Sequence, residues 1–230
     1  MKNKFMLLAL SVFALAFAAL PAMASAGEPQ VDSKLLNEGK SLSFTSKGGH
    51  SELRASNEPK ITCTANSGSG KYNTKTTGEI TLTFTGCIAP EFFNAECHST
   101  GQVAGTIKTG TSVFHNIYLT DNKTTPGVLV TPPTGGIFAT ITCATFFTTN
   151  VEGNGVIGHL ESPKCAGSST TATLNFTATS STQNFRQITA TGTIYSLTSR
   201  TNGGSIPGPA AAMSAEGTVT FGESITLTCV

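Results

Sequence analysis

Apolar and polar residues alternate along most of the chain beyond residue 40. In the segment Glu79–Thr85, Ile80, Leu82 and Phe84 fall on one face while threonine occupies the other. Successive side chains of a strand point to opposite faces, so this alternation predicts a β-strand with one buried face. The same period recurs over residues 41–45, 103–108, 113–119, 137–147, 171–179, 188–197 and 218–227.

Turn-forming residues separate these alternating segments. Sequences rich in Gly, Pro and Asn occupy 67–70, 132–136, 154–155 and 202–209. Short alternating strands between such signals predict an all-β fold: an antiparallel β-sandwich, or a barrel-like arrangement, of about ten to twelve short strands. We expect residues 41–230 to form a single domain. Two half-domains split near 120–136 are the alternative, because Ile-Thr-Cys occurs at both 61–63 and 141–143.

The first 26 residues differ from the rest of the chain. Lys2 and Lys4 precede an apolar run from Phe5 to Leu20, and the segment ends on Ala24-Ser25-Ala26. These are the three zones of a secretory signal peptide. We therefore predict export to the extracellular space, cleavage after Ala26 and no transmembrane segment in the mature chain. Residues 27–40 are polar and predict a flexible lead, with a short helix as the alternative.

Six cysteines all lie in the part of the chain predicted to be exported. An even number in that setting predicts three disulfide bonds, but leaves 15 pairings open. Three cysteines are in phase with buried strand positions and three lie in loop-like sequence, which suggests that each bond joins one of each kind. The strand set is Cys63, Cys143 and Cys229, and the loop set is Cys87, Cys97 and Cys165. The shortest such pairing is Cys63–Cys87, Cys143–Cys165 and Cys97–Cys229.

Charge and motif content exclude several functions. The chain has 14 Lys and Arg against 13 Asp and Glu, without a block of like charge, so we expect no nucleic-acid partner. The four histidines stand apart, and His159 with Glu161 lacks an evident third ligand, so we predict neither a metal site nor a cofactor. The sequence Gly-Asn-Gly-Val-Ile-Gly at 153–158 is interpreted as a hairpin turn at Asn154-Gly155, because no helix follows it.

The sequence shows no convincing set of catalytic groups. We therefore predict a secreted or cell-envelope, non-catalytic protein that acts by surface interaction or as structure. A small-ligand or glycan-binding module, with a pocket lined by Phe or Tyr, is the first alternative. The second is a secreted glycan hydrolase with two facing carboxylates, drawn from Glu79, Glu91, Glu96, Glu152, Glu161 and Glu216. The partner would be a protein or a glycan, and pairing of exposed strand edges would give a homo-oligomer.

Two pairs of adjacent phenylalanines stand out among the 14 in the chain. Neighbouring residues of a strand point to opposite faces, so one ring of each pair is expected at the surface. Exposed apolar patches commonly mark interaction sites. We therefore predict a contact patch that comprises Phe92, Phe93, Phe146 and Phe147.

Several segments carry a resemblance to known sequences. Ile61-Thr-Cys63, the stretch 76–87, Gly-Asn-Gly-Val-Ile-Gly at 153–158 and Ser-Pro-Lys-Cys at 162–165 resemble uncharacterised secreted β-proteins of soil actinobacteria. Those proteins are also rich in threonine and carry several cysteines; this chain has 38 threonines. The resemblance covers most of residues 59–229. It implies a strand-and-cysteine framework, and it supplies no activity, substrate or catalytic residue.

Overall fold

The computed structural model describes residues 28–188, 191–204 and 208–230. The predicted signal peptide over 1–26 and its cleavage point after Ala26 lie outside the described residues. Antiparallel strands make up nearly all of the regular secondary structure among the described residues, which confirms the all-β prediction. Twelve of the described strands have five residues or more, and eight more are pieces of two or three residues.

The described elements comprise twenty strands, a short α-helix and a 3₁₀ helix. In chain order they are β1 (Gln30–Asp32), α1 (Lys34–Asn37), β2 (Leu42–Ala55), β3 (Ile61–Cys63), β4 (Ala65–Tyr72), β5 (Thr77–Thr85), β6 (Ile88–Ala89), the 3₁₀ helix (Pro90–Phe92), β7 (Ala95–Ser99), β8 (Thr106–Lys108), β9 (Ser112–Tyr118), β10 (Pro126–Thr131), β11 (Ile137–Cys143), β12 (Phe147–Gly153), β13 (Val156–Ser162), β14 (Ser168–Phe176), β15 (Ala178–Thr179), β16 (Thr182–Gln183), β17 (Gln187–Ile188), β18 (Thr193–Ile194), β19 (Leu197–Thr201) and β20 (Ala210–Thr228).

Residues 28–40 are folded onto the sheet, in contrast to the flexible lead expected from their polar composition. Strand β1 pairs with the end of β20 and buries Val31. Ser33 begins α1, where its hydroxyl accepts a hydrogen bond from the Leu36 amide at 3.2 Å. Such a cap satisfies one of the free amides at a helix start. Strand pairing and the burial of Pro29, Val31, Ser33 and Leu36 therefore hold this polar segment against the sheet.

The paired strands form two closed rings, in which each strand is hydrogen-bonded to the next and the last is bonded to the first. We call these rings circuits; β2 and β20 belong to both. The first circuit contains β2, β4, β5, β9, β10, β13, β14 and β20. The second circuit contains β2, β3, β6, β7, β11, β12, β19 and β20. The pairing of β2 with β20 closes each circuit. Strands with partners on both sides offer few free edges for the homo-oligomer that pairing of exposed strand edges would give.

The chain passes repeatedly from one circuit to the other. Each circuit contains strands from both sides of residues 120–136. One crossing is at Asn154-Gly155, because β12 pairs in the second circuit and β13 in the first. The predicted hairpin at this point is therefore wrong. A side chain at Gly153 would meet the carbonyl oxygen of Ser196 at 2.1 Å, so only glycine fits this crossing.

The first circuit encloses a cluster of aromatic rings. The centroids of Phe44 and Phe114 are 5.7 Å apart, and those of Tyr72 and Phe114 are 4.7 Å apart, both edge to face. The Tyr72 hydroxyl donates to Oδ1 of buried Asn116 at 3.1 Å. Burial raises the pKa of Tyr72 far above its usual range. The hydroxyl therefore stays neutral and keeps its hydrogen bond.

All six cysteines form disulfide bonds, as predicted. The bonds are Cys63–Cys87, Cys97–Cys143 and Cys165–Cys229. Of the shortest predicted pairing only the first is right; Cys143–Cys165 and Cys97–Cys229 are wrong. The assignment of Cys97 to a loop is also wrong, since it lies in β7 directly opposite Cys143 of β11.

Candidate functional site

The predicted phenylalanines meet at one end of the second circuit. Phe92 and Phe93 lie in the turn between β6 and β7, and Phe146 and Phe147 lie where β11 turns into β12. We call these four residues the aromatic tip. The Phe92 ring lies 5.4 Å from both the Phe146 ring and the Phe147 ring, and Phe93 lies 6.5 Å from Phe146. The four rings therefore form one cluster built by two separate turns.

Exposure differs sharply between the rings of the aromatic tip. Phe147 is buried and Phe92 is half-buried. Phe146 is 46% exposed and Phe93 is 92% exposed. The inner pair thus anchors the cluster, and the outer pair offers a phenyl surface to solvent.

The turn that carries Phe93 has an unusual backbone. Pro90 begins the 3₁₀ helix, where its fixed φ favours the first helical position. Phe93 and Asn94 follow with φ of 55° and 58°, in the left-handed region. A bulky residue with positive φ is uncommon, and such a residue persists only where surrounding structure fixes it. The nearly complete exposure of Phe93 shows that burial of its own ring does not supply that support.

Covalent bonds hold both turns of the aromatic tip. Cys87 precedes β6 and is bonded to Cys63, while Cys97 in β7 is bonded to Cys143 at the end of β11. The Ala144 amide also donates to the Glu96 carbonyl at 3.1 Å, which joins the two turns directly. The segment 88–96 therefore lies between two disulfide bonds, which restrain the backbone that carries the outward Phe93 ring.

The rim of the aromatic tip is acidic. Glu91 and Glu96 precede and follow Phe93 in the sequence and are both exposed, and residues 88–96 contain neither Lys nor Arg. One Glu91 carboxylate oxygen accepts a hydrogen bond from the Lys60 amide at 2.9 Å. A ligand that covers the phenyl rings therefore meets negative charge at its margin.

The glutamates considered for catalysis are engaged separately. Glu152 forms an ion pair with Arg200 at 2.5 Å, and Glu79 lies 3.7 Å from Lys71. The Glu161 carboxylate accepts a hydrogen bond from the side-chain amide of Asn175 at 3.2 Å. Glu91 belongs to the tip rim, and Glu96 and Glu216 lie in β7 and β20. Glu216 lies directly opposite Asn175 in the pairing of β14 with β20, beside the side chain that Glu161 contacts. No hydrogen bond or ion pair between described residues joins two of these carboxylates to each other.

His159 and Glu161 lie together, as their spacing on one strand suggests. Their closest atoms, Nδ1 and Oε1, are 4.0 Å apart, and the His159 ring packs 5.7 Å from Phe185. In the ranges 28–188, 191–204 and 208–230, no three His, Cys, Asp or Glu side chains are grouped so as to hold a metal ion.

A polar groove of about 420 Å³ lies on the outer side of β2 and β20, beside the β15–β16 hairpin. Glu52 and Arg54 form its charged wall, with an ion pair of 2.5 Å. Burial raises the pKa of Glu52, but hydrogen bonds from Arg54 and His50 outweigh burial and bring the pKa below its usual value. The described lining contains no aromatic ring, so the groove lacks a surface on which a sugar could stack.

Comparison of the chain with protein-family models, curated proteins and solved structures finds no match. Among the residues that the structure describes, no helix is long and apolar enough to cross a membrane.

Proposed function

We propose that this chain is an exported, non-catalytic binding protein that contacts a protein partner through the aromatic tip. The observation that carries the proposal is the Phe93 ring, which is 92% exposed on a left-handed turn held between two disulfide bonds. Folding gains little from burying this ring, and the turn holds it away from the core. A binding surface is the function that best fits such an arrangement.

The energetics of a held phenyl ring favour binding. Burial of a Phe side chain at an interface is worth about 1.5–3 kcal/mol. Association normally costs the ordering of side chains and loops, and a surface that is already ordered avoids part of that cost. The two disulfide bonds and the inner rings Phe92 and Phe147 supply this order in advance.

The acidic rim favours a protein over a membrane. Lipid-binding surfaces usually combine apolar residues with Lys or Arg, which attract anionic headgroups. Glu91 and Glu96 would instead be repelled by such headgroups. We expect a partner with an apolar pocket surrounded by Lys or Arg, so that both rings and carboxylates are matched.

Export is supported by two features of the chain. The predicted signal peptide directs the chain across a membrane, and the three disulfide bonds are typical of proteins in oxidising compartments. The partner would accordingly be another exported protein or the outer part of an envelope protein.

The test compares three forms of the mature chain that begins at residue 27. Phe93→Asn removes the ring and keeps a residue that tolerates positive φ, while Ile194→Asn removes an exposed apolar side chain far along the chain from the tip. The immobilised proteins are exposed to envelope and culture-medium extracts. We expect a protein that the unchanged chain and Ile194→Asn retain equally. The dissociation constant of the purified partner should rise about 10- to 100-fold with Phe93→Asn.

Several results would contradict the proposal. Equal retention of the partner by all three forms would show that the aromatic tip is not the contact. Binding to lipid vesicles that Phe93→Asn abolishes would assign the tip to a membrane. Concentration-dependent dimers in sedimentation velocity, lost in the same variant, would assign it to a second copy of this chain.

A further inference from the structure

A cavity of about 80 Å³ lies where the two circuits meet. We call it the junction cavity. Its wall combines Phe84 and Phe176 from the first circuit with Phe138 and Ile141 from the second, and it is almost wholly apolar. Met213 of β20, a strand that belongs to both circuits, completes it. The space is therefore a product of the double closure.

Side chains around the junction cavity retain exposed surface although they point inward. Ile80, Leu82 and Phe84 share one face of β5, yet only Ile80 is buried. Leu82 and Phe84 border the cavity, and both pack against the buried core. Protein interiors are normally packed to the density of organic crystals, with few voids larger than a water molecule. A void of this size leaves dispersion contacts unmade that a bound molecule would supply.

Two smaller cavities of about 40 Å³ each adjoin the first. Val130 lines all three, and Leu82 and Met213 line the junction cavity and one of its neighbours. The junction cavity alone has about half the volume of an apolar cavity of about 150 Å³ that is known to take up benzene, and the shared side chains separate it from further space on two sides. The available room therefore suits a small organic molecule.

One polar group in the wall has no partner. Ser51 is 3% exposed and lines the junction cavity, and its hydroxyl makes no hydrogen bond with any described residue. A buried hydroxyl without a partner is costly and uncommon. The nearby Thr109 hydroxyl differs, since it accepts from the Leu82 amide at 3.0 Å. Ser51 thus contributes a hydroxyl without a described hydrogen-bond partner at the wall of the cavity.

The position of Ser51 follows from a break in β2. Pairing with β20 shifts register between Gly48 and Ser51. Leu42, Phe44 and Ser46 face inward before the shift, and Ser51 is buried after it. A bulge changes which residues face the core. The irregularity that lets β2 pass from one circuit to the other therefore also places this hydroxyl beside the cavity.

We propose that the junction cavity binds a small, neutral, mostly apolar molecule whose single polar group hydrogen-bonds to Ser51. The apolar wall excludes a charged ligand, because an ion without a partner is strongly disfavoured in such surroundings. Water is a poor occupant, since a buried water needs two to four polar partners. This site is separate from the aromatic tip and does not depend on the function proposed for it.

Phenol and toluene are the probes that test this site. They have the same shape, and only phenol carries a hydroxyl. Titration of the ¹⁵N-labelled mature chain should shift the amide resonances of residues around the cavity with both probes. Ser51→Ala should weaken phenol binding about 2- to 10-fold and leave toluene affinity unchanged, because it removes one hydrogen bond and no apolar surface.

Two further variants serve as controls. Ala139→Val adds bulk to the cavity wall and should weaken both probes. Thr201→Val removes a buried hydroxyl that also lacks a partner among the described residues but lies outside the wall, and it should weaken neither. Thermal unfolding of each variant shows whether it is folded. Absence of any shift with both probes would overturn the site, and equal phenol affinity in Ser51→Ala would overturn the role of Ser51.

Discussion

The two circuits close in the same way and are stabilised by different means. The first is built mostly from strands of six to nine residues and encloses the rings of Phe44, Tyr72 and Phe114. The second includes strands of two and three residues and contains two of the three disulfide bonds. Short strands bury little apolar surface, and disulfide bonds commonly compensate for a small core. In this chain two of the three covalent bonds occur in the circuit that contains the shortest strands.

The difference also changes what aromatic residues do. In the first circuit the rings pack on one another inside. In the second, Phe138 and Phe147 are buried as well, but Phe93 and Phe146, at the turns that disulfide bonds hold, lie outside. A region whose structure does not depend on burial of these rings can present them at the surface. The comparison therefore separates phenylalanines that fold the chain from phenylalanines that are available for binding.

The largest expected effect comes from truncating one ring in each region. Phe44 is 6% exposed and contacts three other rings, so Phe44→Ala should lower the free energy of unfolding by about 3–5 kcal/mol. Phe93→Ala should change it by less than about 0.5 kcal/mol, because the ring buries little. Denaturant unfolding of the two variants measures both values. A loss above about 2 kcal/mol in Phe93→Ala would show that the aromatic tip stabilises the fold, and Phe93 would then belong with the phenylalanines that fold the chain.

Removal of disulfide bonds tests the second region. Replacing Cys97 and Cys143 by Ala, or Cys165 and Cys229 by Ala, should each cost about 2–4 kcal/mol. The residues joined are 46 and 64 positions apart, so loop entropy alone predicts nearly equal losses.

Local effects should distinguish the two disulfide variants. Loss of Cys97–Cys143 should speed hydrogen exchange in β7 and β11 and increase the mobility of the aromatic tip. Loss of Cys165–Cys229 should leave both unchanged, because that bond lies at the β13–β14 connection and the C-terminus. The opposite pattern of exchange would mean that the covalent bonds do not hold the tip.

Much of the fold could be predicted from local patterns. Alternation located β5, β11 and the end of β20, because in each of them apolar residues recur at every second position over most of the strand and pack against the core. The same phase identified Cys63 and Cys143 as inward-facing, and both are buried. Strand geometry predicted one exposed ring in each of the pairs 92–93 and 146–147, and Phe93 and Phe146 are exposed, but both lie in turns and not on strands. Each of these inferences depends only on residues close together in the chain.

The features that could not be predicted from the sequence depend on pairing between residues far apart in the chain. Cys97 lies in polar sequence, and only its register with β11 makes it a strand residue. The crossing at Asn154-Gly155 has the composition of a hairpin, and pairing with β19 and β10 decides otherwise. The junction cavity likewise exists only because β2 and β20 serve both circuits. Ser51 follows a glycine pair that interrupts alternation, so no local period marks it as buried.

The smallest expected effect concerns the backbone at Phe93. A residue with a side chain pays about 1 kcal/mol or more for left-handed conformation, and Asn pays less because its short polar side chain tolerates that conformation. Phe93→Asn should therefore raise the free energy of unfolding by up to about 1 kcal/mol, while Phe93→Ala, which keeps the same backbone strain, should not. Denaturant unfolding with unchanged slope provides the measurement. If Asn stabilises the chain and also abolishes partner binding, stability and binding oppose each other at this residue. If Asn instead destabilises the chain, the Phe93 ring contributes contacts to the fold. Phe146 would then be the one ring of the aromatic tip that is free for binding.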